Sequence, residues 1–298
     1  MPTQRPAAST TRWPVTLVRL LAHLPLPLLY LLADGLFTLL YDIARYQRQL
    51  VLDNLRASFP GRSDAAVRRL ARSAYRNALH VLFETIAALH MDRDQLLRRV
   101  SIENPEELEQ YLRRGRSVLA VAAHHGNWEW LQLACAARFD HPIDALYKPI
   151  DHAGLDALLR RLRSRFGTRL VPVGEVLKAL LQRRGGARII ALVADQGPRP
   201  DEDKVWHSFL GRDTAFFAGT ERIARIARAP LVFVHMQRLA RGRYRIRFET
   251  LAASPSELPE GELMARYVRT VEQQVLASPQ DWLWVYKRWK YGRAAAAC

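Results

Sequence analysis

The chain has 298 residues, enough for one large or two small domains with a sizeable core, and 45 Lys and Arg against 29 Asp and Glu leave a formal net charge of +16. Such a charge suits anionic partners, whether nucleic acid, anionic lipid, phosphorylated substrate or an acidic carrier protein, and by itself does not choose among them. Only Cys135 and Cys298 carry thiols, which excludes a disulfide framework and a C-x-x-C metal site and fits a reducing setting.

Residues 1–12 are polar and read as a disordered N-terminus, without the layout of a cleaved signal peptide. Residues 13–41 are rich in leucine but interrupted by Arg19, His23, Pro25, Pro27 and Asp34. A spanning helix needs about 20 mostly apolar residues. The tract therefore reads first as an interfacial membrane helix or pair of half-helices, with Trp13, Tyr30 and Tyr41 as anchors. A single span and an amphipathic helix packed on the protein's own core are the alternatives. A polar helix is expected over 43–58, stopped by Phe59-Pro60-Gly61. Asp64 is expected to cap the next, in which Val67, Leu70, Ala71, Ala74, Ala78, Leu79, Leu82 and Phe83 recur at helical spacing. Arg68, Arg69, Arg72 and Arg76 fall on its other face, read as a solvated surface or as contacts for lipid phosphates.

Residues 42–115 thus form a helical segment, and 116–298 an α/β core of the same domain. Helices are expected at 106–114, 128–138, 153–166, 176–184, 220–228 and 260–277, and strands at 117–123, 143–148, 170–173, 189–193, 230–235 and 244–248. That alternation predicts an α/β fold with a mostly parallel central sheet flanked by helices. Residues 201–219 read as a long loop whose aromatics, Trp206, Phe209, Phe216 and Phe217, either admit acyl chains and touch a bilayer or lie buried beneath it.

The chemistry concentrates where the strand 117–123 passes into the helix 128–138. Gly126 suits the tight turn between them and Asn127 is a good N-cap. His124 closes the strand and Glu129 lies in the first helical turn, at the sheet corner where ligands bind in open α/β folds. A carboxylate that holds an imidazole in one tautomer makes it a general base, so Glu129 is expected to orient His124. Alternate pointing along the strand lets at most one of His124 and His125 meet Glu129. The alternative is that both histidines are structural and Glu129 is simply favoured at a helix N-terminus.

The stretch H-H-G-N-W-E at 124–129 resembles the acyltransferase motif of the lipid A biosynthesis lauroyl/myristoyl acyltransferase family. The similarity continues through N-L-R-A-S-F-P at 54–60, Y-K-P at 147–149, R-L-R-S-R-F-G at 161–167, A-D-Q at 194–196 and W-L-W-V-Y-K-R-W-K at 282–290. The resemblance implies an inner-membrane enzyme that moves a fatty acyl chain from acyl carrier protein to a hydroxyl of a lipid A precursor, with no cofactor; the absence of a signal-peptide layout and the interrupted apolar tract place it on the cytoplasmic face. It implies His124 and Glu129 as catalytic residues and sets Asn127, Lys148, Arg163, Arg165, Asp195 and Gln196 among the substrate-binding candidates.

Lys148 ends a strand, and where the family more often carries arginine it offers a phosphate a point charge instead of a fork. The family's R-x-R pattern points to Arg163, with Arg165 behind it; residues two apart do not share a helix face. Asp195, with Gln196 next to it, follows an apolar strand and can orient a substrate hydroxyl or amide, or else simply start a loop. Tyr286 stands where the family usually has histidine. His207 and His235 lack the paired spacing of a metal site. Two other readings stay open: an acyltransferase acting on an aminolipid, mannoside or glycerol-phosphate acceptor, and a non-catalytic basic membrane-binding protein. No nucleic-acid-binding motif is recognisable.

Overall fold

The prolines divide the leucine-rich tract into two helices in the computed structural model, which describes residues 13–181 and 186–292. The tract 1–12, the last residues of the helix expected to reach Arg184, and Cys298 lie outside the described residues. Helix α1 (Trp13–Leu21) stops before Pro25, which starts α2 (Leu26–Phe37) in an extended conformation that a ring-locked φ favours. A π-helical turn over Thr38–Ile43 continues α2. Leu29, Tyr30, Ala33 and Phe37 are buried, while Leu28, Leu31, Leu32, Leu39 and Ile43 are exposed. Asp34 is not a polar interruption facing lipid. It accepts from Arg76 Nε at 2.7 Å and lies 2.8 Å from His80 Nε2 and 3.3 Å from Arg241 NH2, which ties α2 to the body of the protein.

The expected helix over 43–58 starts later, as α3 (Arg48–Ser58), because Arg45 and Gln47 take positive φ and break it from the preceding turn. The cap of α4 (Asp64–Ala87) is Ser63, whose hydroxyl accepts from Ala66 N at 3.3 Å. Asp64 instead pairs with Arg56 and Arg68. Arg72 pairs with Asp42 and Arg76 with Asp34, so much of the basic face of α4 is neutralised within the protein. Helices α5 (Arg93–Leu97) and α6 (Glu106–Arg113) complete this part.

The sheet has seven strands in the order β1-β9-β8-β2-β5-β3-β4. They are β1 (Val100–Ile102), β2 (Val118–Ala122), β3 (Ile143–Tyr147), β4 (Arg169–Pro172), β5 (Ile189–Val193), β8 (Leu231–Ala240) and β9 (Arg243–Ala252). The strands β8, β2, β5, β3 and β4 run parallel to one another; β9 is antiparallel to β8 and parallel to β1, so the edge strand β1 and its neighbour β9 are reversed. β2 is buried at all five positions, as a strand covered on both faces must be. Leu119 and Val121 face the core made with α3, α4 and α11 (Glu262–Ala277), whereas Val118, Ala120 and Ala122 face α7 (Trp128–Arg138). Helices α8 (Ala153–Arg163), α9 (Val176–Leu181) and α10 (Gly219–Ala227) fill the remaining connections.

Residues 201–219 are not a loop. They hold an antiparallel hairpin of β6 (Lys204–Phe209) and β7 (Arg212–Phe217) that buries Phe209 and Phe216 completely. Its turn puts both Leu210 and Gly211 at positive φ. A branched residue seldom sits in that conformation, which hides the turn from a reading based on residue type.

Candidate active site

Between β2 and α7 the chain reverses at Gly126, whose φ is +61° and where an added Cβ would meet Met236 Cγ at 3.0 Å; glycine is required there. Asn127 caps α7, its Oδ1 accepting from Trp130 N at 2.9 Å, and its Nδ2 donates to Glu84 Oε2 at 2.8 Å. Both ends of this buried amide are thus engaged inside the protein, so the expectation that Asn127 binds substrate is corrected to a structural role.

The two histidines lie just past the end of β2 and face apart. His125 is buried, with Nδ1 3.1 Å from Met236 O and Nε2 3.0 Å from Ser278 O. His124 continues the face of Ala120 and Ala122 and lines a cavity. Its partner is not Glu129. His124 Nδ1 lies 2.6 Å from Asp195 Oδ1, which also accepts from the His124 backbone N at 3.0 Å, and Trp282 Nε1 donates to Asp195 Oδ2 at 2.8 Å. Burial alone would push the Asp195 carboxyl up, but the His124 ring and these three hydrogen bonds overcome it and hold it below its ordinary value. An ionised Asp195 can only accept from the ring, so Nδ1 carries the hydrogen and Nε2 is left as the basic ring nitrogen.

Glu129 is occupied by Arg163, which donates from Nε to Oε2 at 2.9 Å and from NH2 to Oε1 at 2.5 Å. Burial would lower the Arg163 guanidinium; the fork-to-fork pairing with Glu129 outweighs it and raises the value instead. Glu129 therefore cannot fix the tautomer of His124, and Asp195, expected to touch substrate, takes that place. Arg165 lies past the end of α8, donates to Ala88 O and does not line the cavity. Its substrate-binding role is withdrawn.

The cavity measures about 540 Å³, within the roughly 300–1,000 Å³ usual for ligand sites. Its polar end gathers groups at the carboxyl ends of β2, β3 and β5: His124, Lys148 and Gln196, with Glu129, Arg163 and Tyr286 beside them. Lys148 Nζ is held 2.8 Å from Glu202 Oε2. From there the cavity runs under α7 along one face of the sheet, lined by Ala120 and Ala122, Ile143 and Ala145, and Ile189, Ala191 and Val193. Four residue steps of β5 from Val193 to Ile189 span roughly 13 Å. Gln132, one turn after Glu129 and overlooked in the sequence, lines the same cavity and donates to Thr168 Oγ1 at 2.6 Å.

The C-terminal aromatic segment closes the site. Leu283 N donates to His124 O at 3.0 Å, Gly126 N donates to Asp281 O at 2.8 Å, and Asn54 Nδ2 holds the carbonyls of Trp284 and Tyr286, each at 3.1 Å. Asn54 and Trp282, quoted above only as parts of motifs, thereby acquire positions around the histidine. Among the described residues no three His, Cys, Asp or Glu side chains converge as a metal site.

Comparison with known proteins gives the family. The chain is 24% identical over 276 residues to a lipid A biosynthesis lauroyltransferase of Escherichia coli (strain K12), covering 91% of this chain and 88% of that protein. It is 20% identical over 272 residues to a lipid A biosynthesis acyltransferase of Shigella flexneri, covering 90% and 87%. The family model described as bacterial lipid A biosynthesis acyltransferase matches residues 5–291, and the chain, an acyltransferase of α/β fold, belongs to that family.

Proposed function

We propose that the protein transfers a fatty acyl chain of the lauroyl or myristoyl class from acyl carrier protein to a hydroxyl of a lipid A precursor, with His124 as general base and Asp195 as the residue that orients it. The observation that carries this reading is the His124–Asp195 pair at the polar end of a long apolar cavity. His124 Nε2 removes the proton of the acceptor hydroxyl as its oxygen attacks the thioester carbonyl. The tetrahedral intermediate collapses with cleavage of the C–S bond, and the leaving thiolate takes the proton back from the imidazolium. No step is routed through a metal or cofactor, and no acyl-enzyme is needed.

The acyl chain occupies the apolar length between α7 and the sheet, while Arg163, Lys148 and Gln196 meet the polar parts of the two substrates. Glu129 acts as a positioning residue by holding the Arg163 fork. The exposed leucines of α1 and α2 and the basic charge support residence at the cytoplasmic face of the inner membrane. Incubating the full-length protein with radiolabelled acyl carrier protein and candidate lipid acceptors tests the reading. His124→Ala is expected to cut transfer about 10²–10⁴-fold at unchanged melting temperature; activity equal to wild type removes His124 as the base.

A further inference from the structure

A second cavity, of about 580 Å³, lies between the α1–α2 turn, the end of α4, the end of α5 and the start of β9. It shares no lining residue with the acyl-transfer cavity. Its walls divide by chemistry. Leu24, Pro25 and Leu26 form an apolar side, and Arg98, Arg99 and Arg243 form a basic one.

No carboxylate lines this cavity. Among the described residues the guanidinium groups of Arg98, Arg99 and Arg243 have no hydrogen-bonded or ion-paired partner. That sets them apart from Arg68, Arg72, Arg76, Arg163 and Arg225, each of which is paired with a carboxylate. Three fork-shaped donors lining one cavity without an acid suit the chemistry of a phosphate group. The helices on either side of the Leu24, Pro25 and Leu26 wall carry exposed leucines, Leu17 and Leu20 on α1 and Leu28, Leu31 and Leu32 on α2. A free phosphate accounts for the arginines alone. A phosphate carrying hydrocarbon chains accounts for both halves.

We propose that this cavity binds the phosphate headgroup of an anionic glycerophospholipid, whose chains lie along the exposed leucines of α1 and α2, as a site separate from that of acyl transfer. The proposal rests on the membrane-associated reading given above. The bound lipid sets the height and rotation of the protein at the bilayer, with the α1–α2 turn at headgroup level.

The test is binding of the full-length protein to phosphatidylcholine vesicles with and without phosphatidylglycerol, read by co-sedimentation. Wild type is expected to bind both, and the anionic ones more tightly. The triple variant R98Q/R99Q/R243Q should lose roughly a hundredfold of its affinity for the phosphatidylglycerol vesicles, the size expected from three interfacial arginines acting together. Its binding to pure phosphatidylcholine and its transfer rate in detergent micelles should not change. The charge-matched control R69Q/R114Q/R228Q, on exposed arginines that line neither cavity, should lose no more than a few-fold. Equal losses in the two triples would attribute the effect to net charge and overturn the site. Wild type binding both vesicles equally would overturn the site while leaving membrane association standing; wild type binding neither would overturn both.

Discussion

His124 and Asp195 lie 71 positions apart in the chain yet meet at 2.6 Å, because β2 and β5 are hydrogen-bonded neighbours with Ala122 opposite Val193. The carboxylate has no other charged partner among its hydrogen bonds, so in the mechanism proposed above its work is to hold Nδ1–H and stabilise the imidazolium. Asp195→Asn should therefore lower kcat about 10²–10⁴-fold with KM nearly unchanged, since the amide donates to Nδ1 and moves the ring proton to Nε2. Because the Asp195 carboxyl is held below its ordinary value, its ionised form stabilises the fold. That contribution is complete above about pH 4 and is lost as pH falls through the depressed value. Arg163 makes a second residue-scale case. Arg163→Ala should lower kcat/KM at least tenfold, with Arg163→Lys recovering only part because a point charge replaces the fork. Arg68→Ala, whose partner Asp64 is exposed, is the control and should leave kcat/KM within error, exposed pairs contributing only roughly 0–1 kcal/mol.

At the scale of elements, one buried carboxylate joins four segments. Glu84 of α4 is fully buried and accepts from Tyr30 OH at 2.7 Å, Asn127 Nδ2 at 2.8 Å, Tyr244 OH at 2.6 Å and Gly242 N at 3.1 Å. The same residue's carbonyl accepts from Trp130 Nε1 at 2.9 Å. Helices α2, α4 and α7 and the β8–β9 turn are thus held by one side chain, and the cap of α7 beside the His124 corner is fixed to it. Glu84→Ala strands four buried donors and should destabilise the protein by on the order of 3 kcal/mol or more. A urea midpoint that does not move would show that the four donors find other acceptors. Glu84→Gln, which keeps one acceptor oxygen, should lie between.

For the molecule as a whole, the N-terminal helices serve two surfaces at once. Leu29, Ala33 and Phe37 belong to the core, so deleting the tract would unfold the protein instead of simply releasing it from a membrane. The exposed side is separable. Replacing Leu28, Leu31 and Leu32, which are 46%, 67% and 44% exposed, by serine should leave the melting temperature unchanged. Partition to phosphatidylcholine vesicles should fall on the order of tenfold per leucine, the transfer free energy of a buried leucine side chain. Undiminished partition would locate the membrane contact elsewhere on the surface.

Residue order alone determined the alternation of apolar strands and amphipathic helices, and with it the α/β class. It also marked the proline break between α1 and α2, the Gly126 turn and the histidine at the strand end, because each depends on neighbours within a few positions. Helix α7 begins and ends where the sequence sets it, at Trp128 and Arg138, since its cap and its apolar face are both local. The partner of His124 was not legible in that way. Glu129 stood five residues away and Asp195 much farther, and only the parallel pairing of β2 with β5 decided between them. The guanidinium of Arg163 satisfies Glu129 across the α7–α8 contact. The hairpin β6–β7 escaped because Leu210 takes a positive φ that its residue type does not signal, and Glu84 because a glutamate on a helix reads as solvated until the fold surrounds it with donors.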